Sequence, residues 1–289
     1  MSFIAAISIA SSFLPNSLLI AFCECPCPKA MSNLKNISVC IIAKNAERTL
    51  KECLQALINF DEVILLDNES SDATLEIAQK FPNVHIFTSP FLGFGALKNL
   101  AISHAKHDWI LSIDADEILE EEGCALIARL SLDPHCIYAI NRKNHYDGEW
   151  IKACGWYPDF VWRLFCKHHT GFSNNLVHES LVIKENTKRE KLPIHLKHYT
   201  AQNISDLISK LQNYTDLGAQ ESSKNSSMQK AVFRFFWVFF KDYFLRFGWK
   251  YGYKGFVIAW FHALGSFTKY AKIYEKNKNA KNPKASLDA

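Results

Sequence analysis

ISVCIIAKNAERTLKECLQALI, residues 37–58, opens on a short apolar run, ISVCIIA (37–43), crosses a polar turn and continues as RTLKECLQALI (48–58), whose apolar residues recur at helical spacing. A short apolar run bounded by a turn predicts a strand covered on both faces, and the 3.6-residue period that follows predicts an amphipathic helix packed back on it. The same pair then repeats. DEVILLD (61–67) is a second strand and DATLEIAQKF (72–81) a second helix, with Ser70 and Asp72 placed to cap it. VHIFTS (84–89) leads through FLGFG to a helix at ALKNLAISHA (96–105), and WILSID (109–114) is a fourth strand. Alternating apolar strands and amphipathic helices predict a doubly wound α/β domain, which holds its ligand at the carboxyl ends of the strands. Asn45, Asp67 and Asp114 all fall at or just past such ends, so polar residues far apart in sequence converge on one rim.

The fourth strand runs into an acidic cluster, WILSIDADEIL (109–119), with three carboxylates in four residues: Asp114, Asp116 and Glu117. Two aspartates one residue apart at a strand end suit different tasks if the backbone turns there. One can face a ribose hydroxyl while the other meets a hard divalent cation, Mg²⁺ or Mn²⁺, that also binds a diphosphate. Such a cation stabilises the charge that develops on a nucleoside-diphosphate leaving group. Glu117 has no such task and is expected to be solvated or structural.

The chain has 289 residues, 48% of them hydrophobic, enough for one large domain with an appendage. A formal net charge of +4, from 33 basic against 29 acidic residues, gives no nucleic-acid signature. Nine cysteines lack the paired spacings of a zinc ribbon or disulfide framework and read as reduced thiols of a cytoplasmic protein. The CECPC run (23–27) has no second half or histidine partner to complete a metal site. Residues 1–23 carry no charged side chain, but serines, Pro15 and Asn16 interrupt them and no basic residue precedes them. Residues 1–35 are therefore expected to be an extension outside the folded domain, with Met31 near the functional start and a signal anchor as the alternative.

After residue 120 the alternation weakens. Residues 121–203 are expected to form an acceptor half of short, aromatic-rich antiparallel strands completing a domain that spans 36–203, its nucleotide-binding half being 36–120. Residues 204–275 read as helical: ISDLISKLQNYTDLGAQES (204–222), then AVFRFFWVFFKDYFLRF (231–247), with a broad aromatic face and a narrow basic stripe of Lys230, Arg234 and Lys241, then GFVIAWFHALGSF (255–267). That pattern fits either an interfacial helix lying in the membrane headgroup plane or a helix packed on its own domain. The Lys/Asn-rich tail, 276–289, is expected to fray.

ISVCIIAKNAERTLKECLQAL, DEVILLDNESSDATLEIA, GFGALKNLAI and WILSIDADE, in that order, resemble the nucleotide-binding half of family 2 glycosyltransferases, enzymes of the GT-A fold. GEWIKACGWYPDFVWRLF, LVHES and PIHLKHY extend the resemblance to the branch containing bacterial lipopolysaccharide-core β-1,4-glucosyltransferases, over about residues 36–275. The resemblance implies that Ala43, Asn45 and Glu47 lie near nucleobase and ribose, that Asp67 meets the base, and that Lys98 sits by the base or diphosphate where many relatives carry arginine. A lysine there offers a point charge in place of a planar fork. Asp114 would face ribose or sugar hydroxyls and Asp116 would ligate Mg²⁺ or Mn²⁺, with His198 as a further metal ligand, a diphosphate donor or a structural histidine. Inverting transfer needs a base beside the acceptor hydroxyl. The Glu-Asp pair that supplies it in many relatives is missing, leaving Glu179 as candidate and Asp159 as rival, with His178 placed to orient Glu179 or the acceptor. Arg163 would contact a phosphate or acceptor anion, or form a surface salt bridge, and Trp150, Trp156 and Trp162 would stack on sugars or in the core.

The implied activity is inverting, metal-dependent transfer of a hexose, glucose from UDP-glucose, to a lipid-linked inner-core acceptor by a protein peripheral to the inner face of the cytoplasmic membrane. The alternatives are a transferase acting on polyprenyl phosphate or a protein side chain, and a non-catalytic sugar-nucleotide-binding module.

Overall fold

A computed structural model describes residues 33–173, 179–220, 222 and 225–281. The four expected strands and the three helices between them are present: β1 (Ile37–Ala43), α1 (Leu50–Ala56), β2 (Glu62–Asp67), α2 (Thr74–Ala78), β3 (Val84–Thr88), α3 (Phe94–Ser103) and β4 (Trp109–Asp114). β3, β2, β1 and β4 are parallel neighbours in that order. Alternate residues of β1 go to opposite faces, both covered, which explains why it is apolar apart from Ser38, whose hydroxyl donates to Glu62. Ile37, Val39, Ile41 and Ala43 join a core with Leu50, Cys53 and Leu54 of α1. Cys40 and Ile42 join the opposite core with Leu97 and Ala101 of α3.

Beyond β4 come β5 (Glu117–Leu119), α4 (Glu121–Arg129), β6 (Cys136–Tyr146), β7 (Glu149–Trp150), β8 (Phe160–Cys166) and β9 (Lys188–Ala201). They extend the sheet to nine strands in the order β3-β2-β1-β4-β8-β6-β9-β5, with β7 paired to β6. The expected antiparallel extension is present in the pairings β4–β8, β8–β6, β6–β7 and β5–β9, with one departure. β6 has 11 residues and β9 has 14, and the two run parallel. β4 and β5 stand four places apart in the sheet, yet only Ala115 and Asp116 join them. Four strand spacings in a flat sheet cover about 19 Å, more than the roughly 11 Å that three virtual bonds span, so the antiparallel part must curl back on itself. The acidic cluster sits at that turn.

The C-terminal unit comprises α5 (Ile204–Gln220), α6 (Met228–Phe240), a π turn (Lys241–Leu245), a 3-10 turn (Gly248–Tyr251) and α7 (Gly252–Lys281). The start of α7 lies so close to the 3-10 turn that a Cβ on Gly255 would stand 1.8 Å from the Gly248 carbonyl oxygen, so only glycine fits. The tail expected to fray from 276 is helical as far as Lys281. There the Lys276 ammonium binds the carbonyls of Ala219, Gln220 and Ser222 and satisfies the open end of α5. The basic stripe of α6 is partly spent inside the unit, since Lys230 and Arg234 both lie over the Tyr270 ring of α7. No helix among the described residues is long and apolar enough to cross a membrane.

Candidate active site

Two loops at the carboxyl ends of β1 and β2 are laced together. Asn45 adopts a left-handed backbone (φ 51°), tolerable for asparagine, and its side-chain oxygen accepts the Ser71 N–H at 2.8 Å. Its own N–H donates to Ser70 Oγ, so Ser70 braces this loop rather than capping α2. Asp72 does accept the Thr74 N–H at the start of α2, and through its other oxygen the Glu47 N–H. Glu47 returns a bond by accepting from Ala73. Ala43 closes β1, with its carbonyl accepting the Asn68 N–H. Asp67 is sealed at the end of β2; its Oδ2 accepts from Ser70, while Oδ1 has no hydrogen-bond partner. A buried acceptor without a donor is costly and marks a place where a ligand's N–H would be satisfied.

At the turn after β4 the carboxylates differ from one another. Glu117, expected to be solvated or structural, is fully buried and structural: it lies 2.5 Å from Arg163 and 3.4 Å from Arg142 and accepts the Asp114 N–H. Arg163 is itself 4% exposed, on β8, and also holds Asp114 at 2.5 Å. It is therefore neither a surface salt bridge nor open to an acceptor anion, because it neutralises two carboxylates beneath the turn. Lys98 reaches from α3 to Asp114 at 3.1 Å and to Glu179 at 2.8 Å. Burial pushes the Asp114 carboxyl up, but Arg163 and Lys98 outweigh it and hold it well below the usual carboxylate range.

Asp116 projects from the same turn toward β9 and α5. His198 Nε2 lies 3.5 Å and Lys210 Nζ 3.4 Å from its Oδ2. Burial raises this carboxyl too, yet His198 and Lys210 bring it to about 2. Asn144, on β6, fixes the state of His198. Its Nδ2 donates to the Trp156 carbonyl at 2.8 Å and to Asp159 at 2.9 Å, both acceptors only. Its Oδ1 must then accept, and it meets His198 Nδ1 at 2.5 Å and Thr200 Oγ at 3.1 Å. The proton of a neutral His198 sits on Nδ1, and Nε2 turns a lone pair toward the Asp116 carboxylate. Two such atoms so close need a positive charge between them: a second imidazole proton on Nε2, the state in which His198 lowers the Asp116 carboxyl, or a cation bound in its place. Ligands at right angles around a cation with bonds of about 2.1 Å stand about 3 Å apart, so the pair suits a divalent cation sharing its remaining positions with phosphate and water. No group of three or more His, Cys, Asp or Glu side chains able to hold a metal occurs among the described residues.

Asp159, the rival base, gives Oδ2 to Arg142 Nε and to Asn144. Of the tryptophans, Trp162 packs in the core, Trp156 donates to His262, and Trp150 lies beneath Lys152 at 4.0 Å. His178 lies outside the described residues.

Three participants had not been singled out. Lys210 and Tyr214 of α5 bring this helix against the cleft; burial of its hydroxyl end and the carboxylates of Asp114, Asp116 and Glu179 push the Tyr214 phenol up to about 12, although half the residue is exposed. Their signal was a stripe at every fourth residue, Asp206, Lys210 and Tyr214, on one helix face. Asn144 gave no signal, since nothing in a strand's alternation marks which polar residue meets a partner 54 positions away.

Residues 38–178 match the glycosyl transferase family 2 model. An uncharacterized glycosyltransferase of Rickettsia typhi is 30% identical over 268 residues, 88% of this chain and 91% of that protein. The lipopolysaccharide core biosynthesis glycosyltransferase LpsC of Rhizobium meliloti is 26% identical over 256 residues, covering 83% of this chain and 93% of its own length. Among solved structures, S. aureus TarS 1-349 in complex with UDP-GlcNAc shares 13% identity over 85% of this chain and 92% of that one at a TM-score of 0.39, too loose a likeness to carry a functional comparison.

Proposed function

The chain belongs to glycosyltransferase family 2, and from that premise we propose that it is an inverting, metal-dependent transferase moving glucose from UDP-glucose to a lipopolysaccharide or lipooligosaccharide inner-core acceptor. The observation that carries the metal-dependent reading is the Asp116–His198 pair, whose carboxylate and imidazole Nε2 face each other closely enough to share a cation. A bound Mg²⁺ or Mn²⁺ would supply charge neutralisation for the departing diphosphate.

In this reading the unpartnered Asp67 oxygen takes the imide N–H of uracil, beside the Asn45–Glu47 loop. Asp114, held on both sides by Lys98 and Arg163, presents a fixed carboxylate edge to ribose or sugar hydroxyls. Lys210 stands where it meets the diphosphate. Glu179 takes the proton of the attacking hydroxyl, because the Oδ2 of Asp159 is committed to Arg142 and Asn144. The full-length likeness to the Rhizobium core enzyme supports the acceptor class. The exposed aromatic side chains of α6 and the turns that follow, Phe233, Phe236, Trp237, Phe240 and Trp249 among them, support docking on the inner face of the cytoplasmic membrane, where a lipid-linked acceptor is met.

The test is transfer from a panel of nucleotide sugars to truncated core lipopolysaccharide, with Mn²⁺, Mg²⁺ or chelator, read by mass spectrometry. A hexose increment on the core that needs UDP-glucose and metal is expected. Transfer to polyprenyl phosphate with none to core overturns the acceptor, and full activity in chelator overturns the metal.

A further inference from the structure

A second structural thread begins far from the cleft. Asp242, 2% exposed in the π turn after α6, accepts a hydrogen bond from His262 Nδ1 at 2.7 Å. His262 Nε2 accepts the Trp156 indole N–H at 3.0 Å; an indole nitrogen only donates, so the two bonds together fix His262 with its proton on Nδ1. Trp156 stands in a loop that the helical unit grips at several points. The Cys154 N–H donates to the Arg246 carbonyl at 2.9 Å, the Cys154 thiol to the Gly255 carbonyl at 3.6 Å, and the Lys152 N–H to the Tyr251 hydroxyl at 3.1 Å. Ile151, Ala153 and Cys154 are buried in one cluster with Ile258 and Ala259 of α7. The far side of the same Trp156, its carbonyl, receives Asn144 Nδ2. Asn144 is 5% exposed and spends all four of its amide bonds inside the protein, on Trp156, Asp159, His198 and Thr200.

We propose that Asn144 is a positioning residue that sets the tautomer and aim of His198, and that it takes its own orientation from a Trp156 loop clamped by the C-terminal helices, so that the aromatic unit and the donor cleft are joined by one chain of hydrogen bonds, Asp242–His262–Trp156–Asn144–His198. An asparagine amide can be turned over without steric change, and turning it over would put N–H groups toward His198 and force the imidazole proton from Nδ1 to Nε2. The imidazole would then offer Asp116 a donor instead of a lone pair and could no longer share a cation with it. Outer partners of this type commonly set ligand affinity by 10–100-fold. Trp156 prevents the turnover by offering only an acceptor on one side, and the helices hold Trp156 in place. The inference rests on the metal reading above for its consequence, but the Nδ1–H bond to Asn144 itself needs no metal, since a neutral and a protonated imidazole both make it.

The experiment uses the full-length protein, uniformly ¹⁵N-labelled at histidine, with His198→Gln to assign the His198 resonances. Long-range ¹H–¹⁵N spectra distinguish the two neutral tautomers directly, and Mn²⁺ binding in the presence of UDP is measured in parallel by electron paramagnetic resonance. The parent is expected to show His198 protonated on Nδ1. Asn144→Leu is expected to give a mixture of tautomers and a 10–100-fold weaker Mn²⁺ affinity. His262→Leu, at a side chain 36% exposed, is expected to shift the mixture in the same direction by a smaller amount and carries the test if Asn144→Leu does not fold. An unchanged His198 tautomer in Asn144→Leu overturns the assignment, and an unchanged one in His262→Leu overturns the connection to the helices. A parent with the expected tautomer that binds no Mn²⁺ overturns the metal reading and leaves the positioning role standing.

Discussion

The turn after β4 and the surface of α6 solve opposite problems. At the turn, Glu117, Lys98 and Arg163 are charges taken out of water and Asp114 a charge partly so, each tolerable because it faces an opposite charge within 2.5–3.4 Å. On α6 and the π turn, Phe233, Phe236, Trp237, Phe240 and Phe244 are apolar rings left in water, 47–69% exposed, while Arg234 and Asp242 turn inward. In the first region function places charge where burial penalises it, and partners hold it there. In the second it leaves apolar surface where water penalises it, which a soluble monomer rarely does over a contiguous patch. The comparison teaches that each region is incomplete toward a different phase, one toward a charged ligand and the other toward an apolar surface.

The comparison breaks most visibly at Arg163. Replacing it by alanine leaves Glu117 fully buried without its closest partner and takes one of two cations from Asp114, and a loss of about 3–5 kcal/mol is expected in chemical denaturation. A change below 1 kcal/mol would mean that water already reaches the cluster. Asp116 separates stability from chemistry. Asp116→Ala is expected to lower turnover by about 10²–10³-fold, comparable with removing a fixed electrostatic stabiliser, while the melting temperature moves by only a few degrees. On the aromatic side, the triple change of Phe233, Phe236 and Trp237 to serine is expected to weaken sedimentation with anionic vesicles by at least about tenfold, since one buried ring contributes roughly 1.5–3 kcal/mol. Its melting curve should match the parent's, because these side chains touch solvent.

The smallest effect is expected at Arg48 and Asp206, 3.1 Å apart, which tie the β1–α1 loop to the start of α5 beside the cleft. Burial pushes the Asp206 carboxyl up, but the Gln202 N–H and the Arg48 guanidinium outweigh it and leave it below its ordinary 3.8. A carboxyl lowered in the folded state adds stability above its unfolded value, lost as pH falls through the folded one. Asp206→Asn should therefore flatten the acid limb of the stability profile below about pH 4, by less than about 1 kcal/mol because Arg48 is half exposed.

The parallel half was legible because each strand carries its own evidence: ISVCIIA is apolar on both faces, and the helix after it repeats its apolar residues every three or four positions. The rim followed from topology, and the structure brings Asn45, Asp67, Asp114, Asp116 and Glu179 to one side of the molecule together with Lys98 and His198. What was not legible depends on contacts between distant segments. Arg163 looks the same in sequence whether it faces water or two carboxylates, and only the curl of the sheet brings β8 beneath the β4–β5 turn. β6 and β9 were misjudged as short antiparallel pieces because Arg142, Lys143 and Lys197 break their apolar pattern, yet those charges meet Glu117, Glu120 and Glu52.

The pairing of β5 with β9 also sets an order of events. Glu117 faces His198 across that pair, and β9 is the strand neighbour of β5 among the described residues. A ribosome releases the chain from its N-terminus, so β5 emerges before the strand that will hold it has been made. The β1–β4 half has every neighbour but β8 in hand early and can condense while synthesis continues. The acidic turn must wait, with its carboxylates hydrated, until β8 brings Arg163 and β9 closes the sheet over them. Assembly of the cleft is thus a late step of biogenesis, and a chain cut short before Lys188 would keep the nucleotide-side strands but never enclose the turn.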